Sequence, residues 1–352
     1  MADGVQRERS THYHLLVLRS FLGAWENARR FGVALPAGFT DGVERAAEFA
    51  RWVHRPDGQI PALSDADNGA YLDLLALAAR LAGRPELGPA AAPAGTSRAF
   101  PDGGYHVQRS GWGPDAHHLV FDCGPLGDGG HGHYDQLSVE VSLAGRAVLV
   151  DPGRFTYADT AERRGFKSTA AHNTVTVDGL DQSPYRRGKP KGPLPQARLL
   201  RTHAEPGLEV LTGQATSPCY DAVHTREVAF VARRLWVVVD RLEAPGPHRY
   251  EQRWHLAPEA LGALRLDGAS AVAPGVALTV AGADSLQVED GWASPRYGVR
   301  QPAPVVAAVA HGAVVELVTV IAEAPAALVV RRLDPDAVEL TLDAAEVGWE
   351  RR

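Results

Sequence analysis

Apolar residues recur at three- and four-residue steps as far as Leu81 and at two-residue steps through most of the remaining chain, so the period of the pattern changes once. From Thr11, the positions Leu15, Leu18, Leu22 and Trp25 make one apolar face, which predicts a helix capped by Ser10 or Thr11 and stopped at Gly32. A second helix is expected from Asp41, where Asp41 and Glu44 have capping-box spacing. It presents Ala46, Phe49, Trp52 and Val53 before an Arg55-Pro56-Asp57-Gly58 turn. A third carries Tyr71, Leu74, Leu75, Ala78 and Leu81 and ends near Gly83. The stretch RPELGPAAAPAGTS that follows reads as a linker.

After Phe100 the segments HHLVFDC, LSVEVSL, RAVLVD, NTVTVDG, EVAFVARRLWVVVDRL and VVELVTVIAEA are short, β-branched and separated by Gly, Pro and Asp turns. No helix-period segment competes with them, and no internal repeat is present. Parallel sheets need crossover helices, so strands without them imply antiparallel sheets stacked as a sandwich. The expected architecture is α+β and multidomain: a helical segment over 1–84, a linker over 85–98 and a large antiparallel β-sandwich over 99–352. Three amphipathic helices make only a thin layer, which reads as the tail end of a larger helical body.

Composition narrows the function classes. The chain has 352 residues, 45% of them hydrophobic, and a net charge of -6 with no long basic tract. Its global field therefore gives no reason to expect a nucleic-acid or membrane partner. The opening MADGVQRERSTHYH lacks the apolar core of an export signal, so the chain as written reads as cytoplasmic, and as secreted if the true N-terminus lies upstream. Cys123 and Cys219 stand far apart without a CxxC pair, which excludes a cysteine-rich zinc module. The pattern leaves the oligomeric state open.

The candidate chemistry sits in GGHGHYDQLSVEVSLAGRAVLVDPG, residues 129–153. Strand geometry starting at His131 would aim His131 and His133 to one side, with Leu137, Val139 and Val141 buried on that parity and Ser138, Glu140 and Ser142 opposite. Asp151 closes the next strand, and His172 opens a later one. His133, Asp151 and His172, with His131 nearby, form an N/O ligand set that suits a zinc ion. Histidines near glycine-rich turns are commonly solvated loop residues, so the case rests on convergence of the strand ends. A cupin-like metal enzyme is the alternative on motif grounds, with Glu140 and Gly145 following the His-x-His pair. The spacing to Glu140 is too long for it, and parity turns Glu140 away from His133.

The pieces DGVQRERSTHYH, GGYHVQRSGWG, HGHYDQLSVEVSLAGRAVLVDPGRFTY and RGFKSTAAHNTVTVDGLDQ resemble the heparinase II/III-like polysaccharide lyases, which include heparin and alginate-oligosaccharide lyases. With the β-rich tail, the resemblance extends over nearly the whole chain. It implies an incomplete (α/α) toroid followed by a multi-sheet β-sandwich, an acidic oligo- or polysaccharide substrate, and β-elimination across a uronic acid. It further implies Tyr13 and His131 as the catalytic pair, with His133, Asp151 and His172 as ligands of a zinc that fixes the loops beneath the cleft.

Tyr157 and Asn173 are weaker candidates for sugar contacts, and Arg109 and Arg163 for carboxylate or sulfate, whose geometry a guanidinium matches. Glu8 is a candidate for orienting the tyrosine helix. In the family a carboxylate-neutralising Asn or His precedes the tyrosine, whereas twelve residues precede Tyr13 here. The expectations are therefore a piece of a longer protein, a remnant impaired in catalysis, or a site completed by another chain. A non-catalytic carbohydrate-binding or structural module that retains the zinc site is the alternative.

Overall fold

The structure, a computed structural model, describes residues 1–188 and 192–325 in full. Beyond them it describes the backbone of three strands, Leu328–Asp334, Ala337–Leu342 and Ala345–Glu350. Helix α1 runs from Thr11 to Phe31 with Ser10 as its cap: the Ser10 hydroxyl accepts from the Tyr13 amide, and Gly32 ends the helix in the left-handed conformation. Leu15, Leu18, Leu22 and Trp25 are buried on the expected face. Helix α2, Phe39–Val53, begins before Asp41 because Gly38, at φ 77°, turns the chain into it without any side-chain cap. Helix α3 spans Leu72–Ala82 and stops at left-handed Gly83. The segment read as a linker is tied down at its start, where Leu87 is buried against the helical core.

Five strands follow as an antiparallel meander: β1 Ser97–Phe100, β2 Tyr105–Arg109, β3 His118–Asp122, β4 Val139–Leu143 and β5 Arg146–Leu149. Then comes a short helix, α4 Ala161–Lys167, capped by Thr160. This corrects the expectation of no helix after Phe100; the segment is too short to show a helical period.

The second sheet has ten strands. They are β6 Val175–Val177, β7 Gln196–Glu205, β8 Leu208–Thr216, β9 Val223–Val231, β10 Leu235–His255, β11 Arg265–Asp267, β12 Ser270–Ala273, β13 Val276–Ala281, β14 Ser285–Arg296 and β15 Val299–Ala322. Its spine is the long antiparallel pairing of β10 with β15, from Trp236 opposite Ile321 to His255 opposite Val305. The last three described strands form a small antiparallel sheet of their own.

Alternation along the meander explains the layering. Leu119, Phe121, Val139 and Val141 point toward the large sheet and join Phe230, Trp236, Trp254 and Ile321 in the main core. Val107, Val120 and Tyr105 point the other way and pack with Phe49, Trp52 and Val53 of α2. The molecule is thus helices on a five-stranded sheet on a ten-stranded sheet, few helices and large antiparallel sheets. Ser138, Glu140 and Ser142 do face away from the main core, yet all three are buried beneath the helical layer. Glu140 accepts a 2.9 Å bond from Arg55 there, and among the described residues the group whose ligand atoms converge with the histidines contains Asp151 and not Glu140, so the cupin-like reading fails on geometry. Cys123 and Cys219 are both free.

Candidate active site

The site forms where α1, the loop between α2 and α3, the Gly127–Gln136 loop and the segment after β5 meet. Gly153, at φ 71°, makes that approach feasible: a Cβ there would lie 2.6 Å from the Ser294 carbonyl oxygen and 3.2 Å from that of Ala66. A second stitch runs through Ser10, which caps α1 and also donates to the Asp65 carbonyl at 2.7 Å. The start of the tyrosine helix is thereby fastened to the loop that carries Asp65.

Asp65 is the hub. It is fully buried, receives Arg163 through both terminal nitrogens, and bonds His131 Nδ1 at 3.1 Å and His133 Nε2 at 2.9 Å. Burial alone would raise its carboxyl, but bonds from the two imidazoles and the guanidinium hold it well below the usual carboxylate range. The two histidines do lie on a common group, though not by strand parity. His131 has helical φ/ψ after a short 3-10 turn, and β4 does not begin until Val139. Lys167 pins the same loop by donating to the Gly130 carbonyl at 2.8 Å, and burial pushes its ammonium down to about 8.

Above this hub stands a pair of phenols. The hydroxyls of Tyr13 and Tyr157 are 3.0 Å apart, and Arg154 donates to both, at 3.3 and 3.0 Å. Asp67 holds Arg154 from behind with two bonds of 2.8 and 2.6 Å. The Tyr13 ring lies 4.4 Å from that of His131, and Tyr297 stacks on Tyr157 at 5.7 Å. Burial raises the Tyr157 phenol, the Asp65 charge adds to this, and Arg154 opposes it. Phe155 beside Arg154 and Ser64 beside Asp65 both adopt positive φ, 49° and 60°. Such strain persists where the surroundings over-determine the backbone.

Below the hub, His133, Asp151 and His172 are all buried, and each can offer one ligand atom such that the three lie within 4.8 Å of one another. His133 Nδ1 and His172 Nε2 are buried without hydrogen-bond partners. Two orphaned imidazole nitrogens beside a carboxylate are what a cation-binding set presents, so these residues fit a metal ion. Burial pushes His133 down to about 3, which keeps its ring in the neutral, ligating form. Burial would also lower His172, but Asp151, 3.0 Å from its Nδ1, raises it.

The remaining expected residues fall elsewhere. The Arg109 guanidinium is buried against the carbonyl oxygens of Trp52, His54 and Gly111, and Trp112 stacks on it. Asn173 donates to the Val139 and Val150 carbonyls and accepts from the His255 amide. Arg109 thus ties β2 to the end of α2 and Asn173 ties strands together, and neither is hydrogen-bonded to the phenols. Glu8 lies outside the first turn of α1, which contains no acidic residue. Asp65, Asp67, Arg154 and Tyr297 escaped the sequence reading, although Arg154 stands inside the quoted DPGRFTY motif.

Residues 92–349 match the family model described as Heparinase II/III-like, C-terminal, and residues 1–79 match that of the Heparinase II/III N-terminus. Over 277 residues the chain is 25% identical to a heparin-sulfate lyase of Pedobacter heparinus, a match covering 74% of this chain and 40% of that protein. Over 270 residues it is 28% identical to a heparin-sulfate lyase of Bacteroides stercoris, covering 68% and 37%. The chain thus spans about two fifths of the length of these relatives. Among solved structures, a heparinase III superposes with a TM-score of 0.86 at 22% identity, over 99% of this chain and 59% of that one. The heparan sulfate lyase HepC from Pedobacter heparinus gives 0.84 at 21%, over 99% and 59%. These likenesses establish the fold.

Proposed function

The chain belongs to the heparinase II/III-like family, and from that premise we propose that it carries the reaction centre of a lyase that opens uronate-containing acidic glycans, of the heparan sulfate kind, by β-elimination. The observation that carries this reading is the phenol pair of Tyr13 and Tyr157 under one guanidinium, with His131 against the Tyr13 ring.

Elimination removes the C5 proton of the uronate, moves that electron pair into a C4–C5 double bond, and expels the C4 oxygen, which must be protonated as it leaves. Tyr13 is the acid that reaches the leaving oxygen. Arg154 stabilises the phenolate left behind, because its positive charge faces the hydroxyl at 3.3 Å. His131 takes the C5 proton or contacts the uronate carboxylate, oriented through its Nδ1 bond to Asp65. Tyr157 faces the sugar beside Tyr297. Arg163 is the nearby cation for carboxylate or sulfate, while Arg109, bonded to the end of α2, and Asn173, bonded between strands, are supports of the scaffold. No water is consumed.

His133, Asp151 and His172 would hold a zinc ion, whose role when bound is to lock the loops beneath the cleft. The helical segment over 1–84 is read as part of an (α/α) toroid, joined through 85–98 to the sandwich over 99–352. The test is incubation with heparan sulfate, alginate and hyaluronate oligosaccharides, following the ultraviolet absorbance of the unsaturated uronate product. Binding without any product, with Tyr13→Phe binding equally well, would favour a carbohydrate-binding module over a lyase.

A further inference from the structure

The metal-ligand candidates have two neighbourhoods of opposite character. Toward the phenols, His133 is covered by Asp65, which is itself bonded to His131 and Arg163. A cation leaving that way would have to break the hub and pass the guanidiniums of Arg163 and Arg154. On the other side lies a cavity of about 580 Å³ between the α2–α3 loop, β5 and β14. Asp151 lines it, whereas Tyr13, His131, Tyr157 and Asp65 do not. His133 and His172 are completely buried, so Asp151 is the ligand candidate that reaches this space.

The cavity wall has the features of a cation passage. Glu140 lines it, nine-tenths or more buried, and its Oε2 has no hydrogen-bond partner while Oε1 is bonded to Arg55. The rim is formed by the exposed Asp57, Arg146, Glu259 and Glu323, and the buried Arg55, paired with Asp57 and Glu140, also lines the wall; with Glu140 and Asp151 the lining holds five carboxylates to two guanidiniums. An acidic rim concentrates divalent cations and repels polyanions. On the phenol side Arg154 and Arg163 are each matched by a carboxylate, Asp67 and Asp65, so that side has no comparable acidic excess.

We propose that metal ions enter and leave the His133–Asp151–His172 site through this acidic cavity, passed from the rim by Glu140 to Asp151, and not through the cleft that faces the glycan. The inference rests on the metal reading of that site. Its consequence is that a polyanionic chain seated on the phenol side neither strips the ion nor blocks its replacement.

The test follows metal exchange directly. Metal-free protein is mixed with Zn²⁺ or Co²⁺ and uptake is timed; loaded protein is then challenged with a chromogenic chelator. Filling the cavity with Ala147→Phe, or removing the free carboxylate with Glu140→Gln, is expected to slow uptake and loss at least tenfold with unchanged final occupancy. The exposed-rim variants Glu259→Gln and Glu323→Gln, which spare the core, are expected to slow uptake several-fold and flatten its dependence on salt. Saturating heparan sulfate oligosaccharide is expected to leave all these rates unchanged. Unchanged rates in both rim variants, or rates that fall when oligosaccharide is added, would overturn the route while leaving the site standing. Failure of the unaltered protein to take up either metal would overturn the site and the route together.

Discussion

Tyr13 and Tyr157, 144 positions apart in the chain, share a 3.0 Å hydroxyl contact under a single arginine. A helix start and a loop after a β-strand supply the two halves, so neither half carries the arrangement alone. Removing the Tyr13 hydroxyl should abolish proton delivery to the leaving oxygen with little effect on folding. Tyr13→Phe is expected to lower the elimination rate roughly 10²–10⁴-fold, with an unchanged melting temperature; the uronate absorbance assay reads the first and calorimetry the second.

Arg154 acts through charge, so its variants should separate from those of Tyr13. Arg154→Lys keeps the charge but cannot span both phenols and Asp67, and it is expected to retain more activity than Arg154→Ala. A fall in kcat with little change in KM in Arg154→Ala would be its signature, because the charge it stabilises forms only as the proton leaves Tyr13. An unchanged kcat would remove Arg154 from the mechanism.

Asp65→Asn strips the charge from a buried hub while leaving Arg163 in place. Breaking a buried pair by removing one partner costs about 3–5 kcal/mol, so urea unfolding should show a loss of that order. Double substitution with Arg163→Met is expected to recover part of the stability and none of the activity. If Asp65→Asn unfolds at the same urea concentration as the unaltered protein, the hub is not a stabilising element.

Chelation should destabilise the fold, because an ion bound only by the native state at a thousandfold excess over its Kd contributes about 4 kcal/mol. His172→Ala and Asp151→Asn are expected to lower bound metal sharply and to make the melting temperature insensitive to chelator. Metal content by elemental analysis provides the check. Loss of metal from Glu140→Ala instead would implicate a different ligand set.

Three histidines away from the site predict acid sensitivity. His14, His54 and His106 are each pushed down to about 4 from an ordinary 6.5, chiefly by burial. Between those values the unfolded chain binds protons that the fold refuses. The contribution of these three is therefore complete above about pH 6.5 and is lost as pH drops toward 4, by several kcal/mol in total. The buried carboxyls of Asp122 and Glu140, each pushed up to about 7, act in the opposite sense. Urea midpoints measured across that range for the unaltered protein and for His14→Gln with His106→Gln isolate the histidine part, and the double variant should lose less stability on acidification. An identical pH dependence in the two proteins would contradict the burial argument.

The three first helices and most strands were legible because their faces are buried with one period: Leu15 to Trp25 along α1, Val139 to Leu143 along β4. The start of α2 was not, since Gly38 rather than a side-chain cap turns the chain there. His133, Asp151 and His172 could be gathered from the sequence because each lies in or next to a β-punctuated motif. Asp65, Asp67 and Arg154 could not, for they sit in loops without periodicity, and apart from Tyr157 beside Arg154 the partners that define their roles lie far off in the chain, His131 66 positions from Asp65, Asp67 87 from Arg154 and Tyr13 141 from Arg154. The parity argument for His131 and His133 reached a true neighbourhood by a wrong path: Asp65, not a strand, unites them.

The three candidate ligands come from one stretch of forty residues, 133 to 172, whereas the phenol opposite Tyr157 belongs to the first helix. The candidate ligand set is therefore contiguous in the chain and can be inherited as one block. Its tie to the helical wall runs through Asp65, bonded to His133 on one side and through its carbonyl to Ser10 on the other, so divergence of that wall is limited at this residue.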